Sequence, residues 1–154
     1  MKVKFLKLHP DAEVPTKAYA DDYCYDLKAI SEEEIHPGVW KYGFGLAFQI
    51  DKGHVFNPNL NYSIKIKPRS SIFKTGMELS NSEGVVDFGY RNEVSAIFYH
   101  LKPELPRYRK GDYVAQMCIE VTTNIDFEEV EQLDPSERGL KGYGSSDNKR
   151  KPRT

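Results

Sequence analysis

In Asn61-Tyr62-Ser63-Ile64-Lys65-Ile66-Lys67 every second side chain is apolar, so Tyr62, Ile64 and Ile66 share one face of an extended chain. A period of two matches the pleat of a β-strand, whereas a helix would scatter these groups around its axis. The pattern returns between Asp112 and Val121. There Tyr113, Ala115, Met117, Ile119 and Val121 take one side, and Gln116 and Glu120 take the other. Lys2-Val3-Lys4-Phe5 and Gly45 to Ile50 are further strand candidates, and Val94 to Leu101 is nearly continuous apolar, as in a strand buried on both faces. Turn chemistry separates the runs at His36-Pro37-Gly38, Asp51-Lys52-Gly53, Asn57-Pro58-Asn59 and Lys110-Gly111-Asp112. Helical signal is confined to Ser70–Gly76, where a serine cap and a stopping glycine allow one or two turns. Ser31-Glu32-Glu33-Glu34-Ile35 reads as a solvated acidic loop. Short strands with eleven glycines and nine prolines predict an all-β sandwich or barrel.

A chain of 154 residues is one domain, and 39% hydrophobic residues suffice for a core. Twenty-two basic residues balance 23 acidic ones, so the overall charge favours neither nucleic acid nor a membrane surface. Basic charge gathers only at Lys149-Arg150-Lys151-Pro152-Arg153, which reads as a disordered solubilising tail, 147–154. No apolar run approaches spanning length and no secretory h-region follows Met1. Cys24 and Cys118 form no CxxC pair, which suits a reducing cytoplasm. The four histidines are scattered, so any metal must be held by oxygen.

Four polar clusters interrupt the β pattern. Lys67-Pro68-Arg69-Ser70-Ser71 ends a strand where the short helix begins, and offers a guanidinium and two hydroxyls to an anion. Taken alone, its serines read as a helix cap. In Arg138-Gly139-Leu140-Lys141-Gly142-Tyr143-Gly144-Ser145-Ser146, glycines allow an amide nest, Arg138 suits phosphate, and Tyr143 can stack on a base. A plain flexible tail would not need the aromatic ring or the arginine. Asp87 ends the apolar run Gly84-Val85-Val86 in what reads as a hairpin, where a rigid carboxylate can act as general base on water. Asp26, in Tyr23-Cys24-Tyr25-Asp26-Leu27, is a half-buried acid that needs an arginine or a hydrated metal as partner. Phosphate donors, two carboxylates and an aromatic lid, without a covalent nucleophile, suggest metal-assisted hydrolysis at phosphate.

These clusters resemble the five motifs of the trimeric dUTP diphosphatase (dUTPase) family, in order. They match as Tyr25-Asp26-Leu27; Pro68-Arg69-Ser70-Ser71; Gly84-Val85-Val86-Asp87 with Tyr90-Arg91; Lys110-Gly111-Asp112 with Ala115-Gln116; and Arg138-Gly139 with Gly142-Tyr143-Gly144-Ser145. The resemblance implies a distorted jelly-roll β-barrel with one short helix, residues 1–133, followed by a flexible Gly-rich arm, 134–146, that closes over the active site. It also implies a homotrimer with active sites shared between subunits. The implied reaction is Mg²⁺-dependent hydrolysis of dUTP to dUMP and pyrophosphate, which keeps uracil out of DNA and supplies dUMP. By the same resemblance, Asp87 activates water at the α-phosphate and Asp26 holds the metal through water. Arg69, Ser70, Ser71 and Gln116 contact phosphate, as do Arg138, Gly144, Ser145 and Ser146 of the arm. Asn81, Gly84, Tyr90 and Tyr143 frame the uracil and deoxyribose. Uracil presents an N3–H donor where cytosine presents an acceptor, so a matched site leaves cytosine unpaired at a cost of ~1–3 kcal/mol.

The chain departs from the family at Tyr23 and Cys24, where small residues are usual, and at Lys141, where glycine is usual. It also has Tyr143 for Phe, Ser146 for Thr and Asn92 for Gly. A dCTP deaminase or bifunctional deaminase of the same superfamily shares the Arg-Ser-Ser element but lacks the Arg-Gly…Gly-Tyr-Gly-Ser arm. A nucleotide-sensing regulatory protein would use the same pocket without needing both acids.

Overall fold

A computed structural model describes residues 1–51, 53 and 57–142. The chain forms two compact units, Met1–Asn124 and Ile125–Thr154. All regular structure among the described residues lies in the first. It comprises β1 (Val3–Lys7), β2 (Tyr25–Lys28), β3 (Ser31–His36), β4 (Val39–Gly43), β5 (Leu46–Ile50), β6 (Leu60–Pro68), a 3-10 helix (Ser70–Lys74), β7 (Met77–Leu79), β8 (Gly84–Val86), β9 (Ser95–His100) and β10 (Tyr113–Thr123). The strands make three sheets, ordered β1-β5, β2-β10-β6-β8 and β3-β4-β9-β7, with every pairing antiparallel. The jelly-roll class of the sequence reading holds, with sheets that stay separate instead of closing into a barrel.

The period-two runs become the centre of the fold. β10 pairs with β6 from Ala115 opposite Pro68 to Thr123 opposite Leu60, and with β2 on its other edge. This register sets Tyr25, Met117, Ile66 and Gly84 abreast on one face, with Ile64 opposite both Ile119 and Val86. Tyr62, Ile64, Ile66, Ala115 and Met117 are buried there. Each large apolar side chain withdrawn from water contributes ~1.5–3 kcal/mol. The β3-β4-β9-β7 sheet supplies Tyr42 and Phe98, which are fully buried and meet Tyr108 edge to face, with ring centroids 5.6–6.3 Å apart. Tyr42 Oη donates to the Tyr108 carbonyl at 2.8 Å, so one buried hydroxyl is satisfied. Among the described residues Tyr108 Oη is buried without a hydrogen-bond partner, and burial pushes its pKa up.

Four local expectations are corrected. Ser31–Ile35 is not a loop but most of edge strand β3, hydrogen-bonded to β4, with Glu33 and Glu34 left in water. The helix is a five-residue 3-10 element, within the one or two turns expected, but its N-cap is Arg69 and no serine caps it. Burial alternates along β9, with Ala96 and Phe98 inside and Tyr99 exposed, so this strand has one buried face. Finally, Gly84 to Val94 is not a hairpin. β8 pairs with β6 and β9 pairs with β4 and β7, so the turn after Asp87 carries the chain from one sheet to another. Gly111 lies at φ +97 in the turn before β10, a conformation that L side chains rarely adopt.

Candidate active site

The polar face of the β2-β10-β6-β8 sheet is organised in rows. Asp26 stands opposite Gln116, and Gln116 stands opposite Lys67, so three polar side chains lie abreast across three strands. Because successive residues alternate faces, the same pairing that buries Leu27, Ala115 and Met117 turns Asp26 and Gln116 outward. β6 then ends at Pro68 and delivers Arg69 beside this row.

Arg69 is the partner that half-buried Asp26 requires. Its Nε donates to Asp26 Oδ1 at 2.8 Å and its Nη2 donates to Asp26 Oδ2 at 3.0 Å, a bidentate fork. Its Nη1 also donates to the Tyr113 carbonyl at 3.2 Å, and the guanidinium lies 5.7 Å from the Tyr113 ring centroid. These three bonds leave two of the five guanidinium N–H groups for a ligand. Gln116 Nε2 donates to the Pro68 carbonyl at 2.8 Å, which ties β10 to the start of the Arg69 segment. Ser70 is exposed and Ser71 half-buried on the 3-10 turn that follows.

The Asp87 turn is a second cluster. Asp87 follows β8, is exposed, and its carboxylate makes no hydrogen bond or ion pair among the described residues. The turn around it is fixed from within. Tyr90 N–H donates to the Asp87 carbonyl at 3.0 Å, and Arg91 Nη1 donates to the carbonyls of Phe88 and Tyr90 at 2.7 and 2.8 Å. Tyr90 Oη donates to the Glu93 carbonyl at 3.0 Å, leaving its ring exposed. Asn81 is exposed in the preceding bend, with its amide nitrogen beside Gly84. A Cβ at Gly84 would lie 3.1 Å from Ile66 Cβ, so this glycine lets β8 sit tightly on β6.

Several supporting residues escaped the sequence reading. Glu83 is clamped by Lys65 and Lys67, and Lys65 also reaches Glu120 at 3.0 Å. Lys67 and then Lys65 hold the Glu83 carboxyl below its usual value, and the lysines are raised in return, Lys67 by Glu83 and Lys65 by Glu120 and Glu83. The clue was two lysines on one strand face, which require an anion between them. Glu93 Oε1 accepts the Gly45 N–H at 2.8 Å and fixes the far end of the turn. With a sequence separation of 48, no local pattern announces that bond.

In the second unit, Gly139 N–H donates to both the carbonyl and Oγ of Ser136 at 3.1 Å, and Arg138 Nε donates to the Lys141 carbonyl at 3.0 Å. The expected Tyr143, Gly144, Ser145 and Ser146 lie outside the described residues, as does the basic tail. Among the described residues no three His, Cys, Asp or Glu side chains gather as a metal cage, and no helix is long and apolar enough to cross a membrane.

A dUTPase family model matches residues 10–147. The deoxyuridine 5'-triphosphate nucleotidohydrolase of Nautilia profundicola is 34% identical over 148 residues, covering 95% of this chain and 99% of that one. Among solved structures, a substituted dUTPase of Staphylococcus bacteriophage 80alpha with dUpNHpp superposes with a TM-score of 0.69 at 20% identity, over 94% of this chain and 98% of the other. A substituted dUTPase from phage phi11 of S. aureus, described with a structural Mg(II) ion, gives a TM-score of 0.68 at 16% identity, over 88% and 100%.

Proposed function

The chain belongs to the dUTPase family and is a dUTP diphosphatase, and from that premise we propose how its own residues carry the reaction. The observation that carries the proposal is the Asp26–Arg69 fork set opposite Gln116, supported by the unpaired carboxylate of Asp87. Arg69, with its remaining N–H groups, and Gln116 receive phosphate oxygens, together with the Ser70 and Ser71 hydroxyls. Asp87 is the general base. A carboxylate free of protein partners, on a turn pinned by Arg91, can take a proton from water without first breaking an ion pair. Hydrolysis at the α-phosphate then releases dUMP and pyrophosphate. Asn81 and the backbone at Gly84 read the uracil edge, and the exposed Tyr90 ring covers the deoxyribose.

Both oxygens of Asp26 accept from Arg69, so its fit to Mg²⁺ is an outer one, through the ion's water shell. One carboxylate without a cage suits an ion bound largely by the triphosphate. When bound, Mg²⁺ neutralises phosphate charge.

We assign residues 1–133 to the jelly-roll domain and 134–146 to an arm that closes over the site. In it Arg138, Gly144, Ser145 and Ser146 hold the outer phosphates and Tyr143 stacks on the base. A homotrimer with shared sites accords with the exposed apolar side chains Ile125, Phe127, Val130 and Leu133. A cytoplasmic setting accords with two free thiols.

Pyrophosphate release measured on dUTP, dCTP, dTTP and UTP with Mg²⁺ tests the site reading. Strong preference for dUTP in the wild type should fall when Asn81 is replaced by alanine. An unchanged preference in Asn81→Ala removes that residue from base selection, and ammonia from dCTP would identify a deaminase.

A further inference from the structure

The row beyond Asp26 and Gln116 contains the two cysteines. The β2–β10 register runs from Leu27 opposite Ala115 to Tyr25 opposite Met117, and continuing it by one residue, into the bend that leads into β2, brings Cys24 level with Cys118. Alternation puts both on the face that carries Asp26 and Gln116. The two thiols are near enough to interact directly. Both thiols are free. Cys118 is buried and lines an apolar cavity of about 560 Å³ with Tyr23, Tyr25 and Met117, whereas Cys24 is half-exposed.

We propose that Cys24 and Cys118 are a reversible disulfide site, cross-linking the start of β2 to β10 one row from Asp26 and Gln116. Residues directly opposite on antiparallel strands have Cα atoms roughly 4.5–5.5 Å apart, within the roughly 4.4–6.8 Å that disulfides span. The oxidant is a hydroperoxide, and Cys24 is the sulfur it reaches, because Cys118 is buried. The Cys24 thiolate attacks the peroxide oxygen, the O–O bond breaks, and an alcohol or water departs with the proton, leaving a sulfenic acid. The Cys118 sulfur then attacks that sulfur. The S–S bond forms, the S–O bond breaks, and hydroxide leaves as water with the Cys118 proton. Two electrons pass from the sulfurs to the peroxide, and a dithiol returns them by exchange. The cross-link joins two segments far apart in sequence, so it restricts the unfolded chain strongly. It also pins the strand that presents Asp26. The site is independent of how the neighbouring residues treat dUTP.

The full-length protein is treated with hydrogen peroxide, alkylated under denaturing conditions and analysed by intact mass and peptide mapping. The expected result is joint loss of both thiols in a chain of monomer mass, with one peptide pair joined through Cys24 and Cys118. The thermal midpoint should rise by about 5–15 °C and return with dithiothreitol. Cys24→Ser and Cys118→Ser, treated alike, should show neither the cross-link nor the shift. Both thiols surviving, Cys24 oxidised to sulfinic acid with Cys118 free, or a bond between two chains would each overturn the proposal.

Discussion

Replacing Arg69 by lysine keeps the positive charge beside Asp26 and removes the geometry that uses it. Arginine makes three bonds here, two to the separate oxygens of one carboxylate and one to the Tyr113 carbonyl. A lysine ammonium is a compact charge that can meet one carboxylate oxygen but cannot span this fork. The variant therefore loses two bonds from a charged donor, one to Asp26 and one to the Tyr113 carbonyl, each worth up to ~1.5–3 kcal/mol. The side chains of Arg69 and Asp26 retain 30% and 19% exposure, so water restores part of both. A net loss of about 1.5–3 kcal/mol follows, equivalent to roughly 4–10 °C in thermal midpoint for a chain of this length. Circular dichroism melts at fixed protein concentration measure it, since assembly makes the midpoint concentration-dependent. Turnover of dUTP should fall as well, because Asp26 is no longer held square to Gln116. The cycle of Asp26→Asn, Arg69→Met and their double variant should give a coupling of about 1–3 kcal/mol. A lysine variant melting within about 1 °C of wild type, with coupling near zero, would refute the claim that the fork orders the site.

Asp87→Asn should bind dUTP with near wild-type affinity in calorimetry yet release pyrophosphate about 10²–10⁴-fold more slowly; near-normal turnover would remove Asp87 from proton transfer. Truncation before Arg138 should abolish most turnover while circular dichroism and sedimentation show an unchanged fold and assembly; an unfolded or dissociated product would make the arm structural. Stability should also depend on Glu32. Burial works against its charge, but Arg107, the Lys110 N–H and Arg109 together hold its carboxyl below 4.5. A depressed carboxyl contributes stability above its unfolded value that is lost as pH falls through the folded one, so wild type should weaken below about pH 4.5. Urea titrations of Glu32→Gln should show a flatter acid limb, and an identical limb would assign acid sensitivity to other groups.

The parts of this protein that its sequence disclosed are those governed by neighbours along the chain. Alternation in Asn61–Lys67 and Asp112–Val121 specifies both an extended backbone and the buried face, because a one-residue slip would turn every apolar group outward. Gly38 and Gly111 mark turns through their own backbone conformation. β3 was missed because an edge strand needs only one paired side, and its glutamates resemble a solvated loop when the partner strand is unseen. The apparent hairpin at Asp87 failed for the same reason. Turn chemistry states that the chain reverses, but not which sheet receives the next strand.

The site divides along that line too. Asp26, Arg69, Gln116 and Asp87 were visible as polar groups that an apolar strand pattern does not need, and the motif order connected them. What the sequence withheld is that Arg69 already serves Asp26, a bond across 43 residues. This contact changes the chemistry assigned to both. A free Asp26 could coordinate a cation directly and a free Arg69 could give all its donors to phosphate, whereas the pair offers an outer contact to the ion and two remaining N–H groups to phosphate. Asp87 has no such partner among the described residues, so in the proposed mechanism its carboxylate is free to meet water. The proposed division of labour between the two aspartates thus follows from which of them the fold supplies with an arginine.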